Sequence, residues 1–431
     1  VTAAQTLASI LARAPQLSEH TVAPPSRFAF LGMTAIADEL TQLCRDAAPD
    51  AAVQAALGDI FVRRGLYLDA MGAYRSAAEL DPHFAEAHLA ASDLAYIVRD
   101  EETSASHRAA ALALRRLYPD PLPVGDRLPV LLLLRDAPYA VNAPLEMLLD
   151  RSRVAVHKLY VGDAANARDI PGFACAFAAF GYARDGAAAA ARAFLDRTGA
   201  AFVNDPARFS IQARELLPGA LAGIPGIAVV ATERVAREWV THALQPLLVR
   251  PADSQAGNGL ALVDSAATLD AHLSRFPADE YHVTPFVEYR SADGYYRKYR
   301  IIYVDGVAFP YHLAISPRWM VHYQSSPMRE YDWMRDEEAA FLEAPARVIP
   351  GWDTAVPAIA RALGLDYFGI DAGVLPDGTL VVFEADSGLL VHDEDPNDVW
   401  AFKRPYVSHI REALHALIEG RAKRGTQVQH P

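Results

Sequence analysis

The stretch PDPLPVGDRLP, residues 119 to 129, places four prolines in eleven positions. Proline lacks a backbone donor and fixes its own φ, so neither a helix nor an inner strand runs through such a segment. The pattern also changes across it. Before the junction, small residues and leucines recur at helical spacing; after it come short apolar strands at 129–135, 153–160 and 200–204, with Ala-rich helical stretches between them. That alternation is expected of an α/β layer. GFACAFAAFG, 172 to 181, fits a buried strand or a helix equally, because periodicity does not separate the two.

Size and charge narrow the function classes. The chain has 431 residues, enough for several domains with ample core, and is 52% hydrophobic and 22% charged, as expected of an ordinary globular protein. Its formal net charge of -13 argues against a nucleic-acid backbone as the main partner, since that needs a basic face. Apolar runs such as PVLLLL at 129–134 are too short to cross a bilayer, so no membrane partner is expected. Only Cys44 and Cys175 occur, which excludes a disulfide framework and a cysteine metal cluster. The N-terminal stretch has no charged start followed by an apolar core and a cleavage site, and the expected location is cytoplasmic.

In AALGDIFVRRGLYLDAMGAYRSAAELDP, small residues at Gly58, Ala70 and Ala77 allow two helices to approach while Phe61 and Tyr74 fill the space between them. This order, ending on Pro82, resembles a tetratricopeptide unit. A fainter unit follows up to Tyr118 and Pro119, and residues 31–48 offer a preceding helix. Such repeats imply docking of a peptide or protein; a helical cap packed on the rest of the chain is the alternative.

GLDYFGIDAGVLPDGTLVVFEADSG, 364 to 388, carries two short apolar strands around Pro-Asp-Gly, interrupted by Asp371, Glu384 and Asp386. With Asp377-Gly378 as a two-residue loop, Asp371 faces Glu384 and Asp386 shares their side, leaving Ile370, Ala372, Val374, Val381 and Phe383 for the core. Pro-Asp-Gly also suits a three-residue loop with a bulge, and a slip of one residue sends Asp371 and Glu384 to opposite faces. Three carboxylates on one face repel unless donors or a cation compensate. Magnesium, which combines one or two carboxylates with phosphates, is the natural cation, and a solvated acidic edge is the bland alternative.

Two other segments offer complementary chemistry. PLLVRPADSQAGNGLALV, 246 to 263, runs from a strand ending at Arg250 through a loop with Ser254, Gly257 and Gly259 into a second strand. Glycines let backbone N–H groups turn toward an anion. RKYRIIYVDGVAFPYHLAI, 297 to 315, reads as a hairpin about Asp305-Gly306 with Lys298 and Arg300 on one face.

The order of these pieces, with HVTPFVEY (282–289) between the basic segments and FVNDPARF (202–209) before them, resembles the ATP-grasp superfamily over about 200 to 415. It resembles especially the carboxylate–amine ligases of the glutathione synthetase and ribosomal-protein glutamate ligase type. The implied chain is multidomain. All-α tetratricopeptide-like repeats (1–122) precede an α/β pre-ATP-grasp domain (127–235), an α+β ATP-grasp nucleotide-binding and catalytic domain (236–420) and a flexible tail (421–431).

The resemblance implies ATP and Mg2+ as cofactors, with Mn2+ as an alternative metal. Arg214 and Arg250 stand where the family has phosphate-touching lysines, and Lys298 joins them. Ser254, Gly257 and Gly259 belong to the loop over the triphosphate, Phe286 and Val287 to the adenine hinge, and Glu288 to the ribose. Asp371, Glu384 and Asp386 match the metal ligands, with Glu-Ala-Asp replacing the usual Glu-x-Asn. Arg300 and Arg318 are the implied catalytic cations, and His312, Arg318 and His322 the substrate contacts. In this family a carboxylate is phosphorylated and an amine then displaces the phosphate, so the implied partners are a peptide, protein or small acid and an amine. A small-molecule kinase and an inactive ATP-sensing repeat adaptor are the rival functions. Oligomeric state is not expressed in the sequence.

Overall fold

The computed structural model describes residues 50–63, 66–98, 100–138, 141–162, 170–241, 245–252, 254, 257–392 and 398–428. The helix expected over 31–48 lies outside them. Among the described residues four helices come first: α1 (Ala51–Arg63), α2 (Tyr67–Leu80), α3 (Ala85–Ile97) and α4 (Glu101–Leu114). Their close approach depends on small residues, since a Cβ on Gly58 of α1 would lie 2.9 Å from the Tyr74 ring of α2. The Tyr74 hydroxyl donates to Asp59, so its polar tip is satisfied inside the pair. Asp100 caps α4 by accepting from the Thr103 N–H at 3.1 Å.

Past α4 the chain forms β1 (Leu117–Tyr118), β2 (Leu128–Leu134), β3 (Val154–Tyr160), β4 (Cys175–Ala178), α5 (Ala187–Thr198) and β5 (Phe202–Val203). These strands make a sheet in the order β1-β3-β2-β4-β5, parallel except for β1. The ambiguous Ala-rich run thus contributes a fully buried central strand. Ala85, Leu112 and Tyr118 share a core with Val130, Leu132 and Val154, which docks the helical segment on one face of this sheet.

The remainder comprises α6 (Leu217–Leu221), β6 (Ile227–Val229), β7 (Glu233–Ala236), β8 (Leu247–Pro251), β9 (Ala261–Val263), α7 (Ala266–Arg275) and β10 (Glu280–Pro285). Then follow β11 (Tyr296–Val304), β12 (Val307–Ser316), α8 (Asp332–Glu343), α9 (Pro345–Val348), α10 (Ala355–Leu363), β13 (Tyr367–Val374), β14 (Leu380–Asp386) and α11 (Arg404–Val428). A four-stranded antiparallel sheet runs β7-β10-β8-β9, and a five-stranded one runs β12-β11-β13-β14-β6. Strands β6 and β7, just before position 236, therefore pair with β14 and β10 of the C-terminal sheets.

Two features lock the layers together. Asn204, held at φ 60°, accepts from the Asp366 and Tyr367 N–H groups at 2.9 Å and donates to the Tyr367 carbonyl at 2.7 Å, tying the end of β5 to the start of β13. Helix α11 buries Val407, Ile410, Leu414, Leu417, Ile418 and Ala422 against side chains from both five-stranded sheets. It continues to Val428, which corrects the expected tail over 421–431: apolar residues at helical spacing carry the helix through Ala422. Among the described residues no helix is long and apolar enough to cross a membrane.

Candidate active site

The acidic hairpin is built by two irregularities that cancel. Leu375 N–H donates to the Thr379 carbonyl and Gly378 N–H to the Leu375 carbonyl, both at 2.9 Å, so Pro376, Asp377 and Gly378 form a three-residue loop, with Gly378 at φ 86°. That corrects the two-residue loop and pairs Val374 with Leu380. Between Asp371 and Ala372 the register then shifts by one, leaving Phe383 as the extra residue, and Asp371 again faces Glu384 while Gly369 faces Asp386. Val381 and Phe383 are consequently not core residues of the Ile370 face. Val381 pairs with Gly373, and Phe383 lies against Gly373 and the Tyr289 ring.

The three carboxylates meet different surroundings. Asp371, 3% exposed, accepts from Lys298 Nζ at 3.0 Å and from Arg300 Nε and Nη2 at 2.6 and 2.9 Å. Burial alone would raise its pKa, but the Arg300 and Lys298 charges outweigh that and hold it well below the usual carboxylate range. Glu384 accepts from Arg214 Nη2 at 2.6 Å. Asp386 accepts from the Gly388 N–H at 2.6 Å, and its carboxyl is pushed up to about 6, by burial first and then by the charge of Glu384. Among the described residues no three His, Cys, Asp or Glu side chains form a ready metal-binding group. The donor chemistry nevertheless divides clearly: Asp371 is neutralised by two cations, whereas of the neighbouring Glu384 and Asp386 only Glu384 is ion-paired among the described residues, with Arg214.

A cavity of about 380 Å³ between the two C-terminal sheets receives these groups. Arg214, Arg250, Lys298, Arg300, Asp371, Glu384 and Asp386 all line it, together with Gly257, Phe286, Val287 and His322. Arg250 is buried and its Nε donates to Ser254 Oγ at 3.0 Å. Burial, then the neighbouring charge of Arg214, lowers its pKa to about 10. Gly257, at φ 73°, places its backbone so close to the His322 ring that an added Cβ would lie 2.4 Å from Nε2. Burial followed by the Lys298 charge depresses the His322 pKa.

Other expected site residues are not on the cavity wall. Ser254 acts through Arg250, and Gly259 packs on Pro251 and Phe276. Glu288 accepts from the Tyr296 hydroxyl at 3.2 Å and is exposed. His312 is buried with its ring stacked on Tyr323 at 4.6 Å, and Arg318 is exposed at the edge of its loop, its N–H donating to Ser316 Oγ at 3.1 Å. The Phe286 N–H donates to the Pro246 carbonyl at 2.9 Å, which removes that amide from ligand binding.

Sequence reasoning missed several wall residues. His282 is buried, and its Nε2 lies 3.2 Å from Glu215 Oε2, while Arg184 donates to Oε1 of the same carboxylate at 2.9 Å. Strand alternation within β10 is the available signal, since His282 and Thr284 reach the cavity while Tyr281 and Val283 pack in the core of the four-stranded sheet. Trp319 and Tyr289 join them, the Tyr289 hydroxyl donating to the Trp319 carbonyl at 2.7 Å. Gly181 was also passed over. A Cβ there would lie 2.6 Å from Asp386 Oδ1. Gly181→Ala is expected to displace that carboxylate and lower stability by about 1–3 kcal/mol, seen as a lower midpoint in urea melts.

No protein-family model and no curated protein matches this chain. Among solved structures it is similar to a D-alanine–D-alanine ligase from Bacillus anthracis complexed with ATP, at 14% identity and a TM-score of 0.44 over 70% of this chain and 100% of that one. The Coxiella burnetii D-alanine–D-alanine ligase gives 11% and 0.44 over 70% and 97%, and the VanG D-Ala:D-Ser ligase from Enterococcus faecalis 12% and 0.42 over 68% and 99%. Likeness this low decides neither fold nor function for this chain, and the functional reading rests on the cavity.

Proposed function

We propose that this chain is an ATP- and magnesium-dependent carboxylate–amine ligase of ATP-grasp type, divided into a helical repeat domain, an α/β domain and a nucleotide-binding domain as the sequence implies. One observation carries the reading: Arg214, Arg250, and the pair Lys298 and Arg300 of β11, from three separate segments, line one cavity with the acidic hairpin between the two C-terminal sheets. Four convergent cations suit a triphosphate. Phe286, Val287, Tyr289 and Trp319 form an apolar wall for the base, with Val287 rather than Phe286 offering the backbone amide. Glu384 and Asp386 would hold the metal, which supplies charge neutralisation at the phosphates. Asp371 instead fixes Lys298 and Arg300.

Within that frame the acid's carboxylate oxygen attacks the γ-phosphorus and ADP leaves. The amine nitrogen then attacks the acyl carbon, inorganic phosphate departs, and the nitrogen loses its proton to form the amide. Arg214, Arg250, Lys298 and Arg300 orient the phosphate oxygens and exclude bulk water. The helical segment supports a peptide or protein acid as one substrate class, because its Glu101 accepts from the Asn258 side chain of the glycine loop at 3.2 Å.

ADP release measured over a panel of acids and amines tests the proposal. Release that needs both is expected; release with an acid or alcohol alone makes the protein a kinase, and nucleotide binding with no turnover over the panel makes it an adaptor. Arg250→Ala is expected to weaken nucleotide binding about 10- to 100-fold, the loss of a charged hydrogen-bonding group.

A further inference from the structure

Part of the cavity wall is a junction between separate segments of the chain, next to Asp386. Gly388, two residues past β14, abuts the Gly181 amide and the Val141 carbonyl, each 2.9 Å from where its Cβ would lie. The chain to either side of this contact supplies Tyr182, Leu389 and Leu390 to the cavity wall, and the helical segment adds Tyr96. Three parts of the chain thus meet at this junction: α3, the segments adjoining the α/β sheet, and the irregular segment that follows the acids.

All the Lys and Arg side chains on the wall belong to the phosphate cluster: Arg214, Arg250, Lys298 and Arg300. Among the described residues, the junction wall formed by Tyr96, Val141, Tyr182, Leu389 and Leu390 presents rings and aliphatic groups and no cation. Among the described residues, a ligand reaching from the phosphates to that wall meets no cation there to pair with a second carboxylate. Burying such an anion unpaired is costly, whereas burying an apolar group is favourable.

We infer that the junction end binds the amine co-substrate, and that this is a primary amine whose remainder is apolar and uncharged, with Tyr96 as the specificity-determining residue contributed by the helical segment. This rests on the ligase reading for the identity of the head group as the nucleophile. The nitrogen reaches toward Asp386 and the phosphate cluster, and the apolar body lies against Tyr96, Tyr182 and the two leucines. An ordinary amino acid, which carries a carboxylate beside its amine, fits this wall poorly.

Calorimetric titration of the full chain with 2-phenylethylamine, ethanolamine and phenylalanine tests the inference, each run with and without the non-hydrolysable ATP analogue AMPPNP and magnesium. The expected result is 2-phenylethylamine binding about tenfold or more tighter than either of the other two. Tyr96→Ala should reduce that ratio at least fivefold with AMPPNP affinity unchanged, and Tyr96→Phe should retain it. Leu390→Asn, on a different element, serves the same purpose if Tyr96→Ala does not fold. Affinities for the three probes within twofold of one another, or a ratio untouched by either loss variant, overturn the inference. Failure of AMPPNP to bind removes the ligase reading instead, and leaves the amine ratio in the nucleotide-free titrations to decide the apolar site.

Discussion

Asp371→Asn is expected to destabilise the ligand-free protein by about 3–5 kcal/mol, seen as a lower urea midpoint with an unchanged slope. The side chain is nearly isosteric, so the effect is electrostatic. The Asp371 side chain is 5% exposed and those of its partners Lys298 and Arg300 are 16% and 15% exposed, which places two cations in a largely dry environment with one compensating carboxylate. Removing that carboxylate's charge leaves both uncompensated. Because the native pKa of Asp371 lies below its unfolded value, its stabilisation is present at neutral pH and disappears only as pH falls toward the depressed native value. A raised midpoint in Asp371→Asn would mean that this carboxylate is a strained ligand awaiting a metal, contrary to its assignment as the anchor of the cations.

Asp386→Asn should do the opposite. Its carboxyl titrates near 6 in the folded chain, against an ordinary value of 3.8, so the native state keeps a proton that the unfolded state releases. Stability therefore falls as pH rises through that window. Asparagine does not titrate, and ligand-free Asp386→Asn is expected to exceed wild type by about 2 kcal/mol at pH 7.5, converging with it near pH 4. Added magnesium and AMPPNP should stabilise wild type more than the variant, since the lost charge is one of the two carboxylates proposed to face the metal. Thermal melts across pH, with and without these ligands, measure both effects. Equal pH slopes for the two proteins would exclude Asp386 as the source of strain.

The opposite signs bear on what the amino-acid sequence could reveal. Alternation placed Lys298 and Arg300 on one face of a hairpin, and the structure pairs both with Asp371. Strands β2 and β3 were equally legible from their apolar runs, bounded by turn residues. Counting across a turn could not reveal the extra residue at Phe383, because a bulge leaves no periodic trace. It also could not show that Asp371 is paired within the protein while Asp386 is not, since that distinction depends on β11 lying beside β13. Tyr96 and Gly181 were invisible for the same reason: their relevance arises from contacts between distant segments, with no local pattern to mark them.

The cancelling irregularities of the acidic hairpin constrain how this region can change. Trimming one residue from Pro376-Asp377-Gly378 while keeping Phe383 would rotate Glu384 and Asp386 half a turn into the hydrocarbon interior, and excising Phe383 alone would do the same. Length variation in this stretch is tolerable only as coupled events, one on each side of Leu380. Alignments that balance gaps at the loop alone would mismatch the very acids on which the chemistry is proposed to turn.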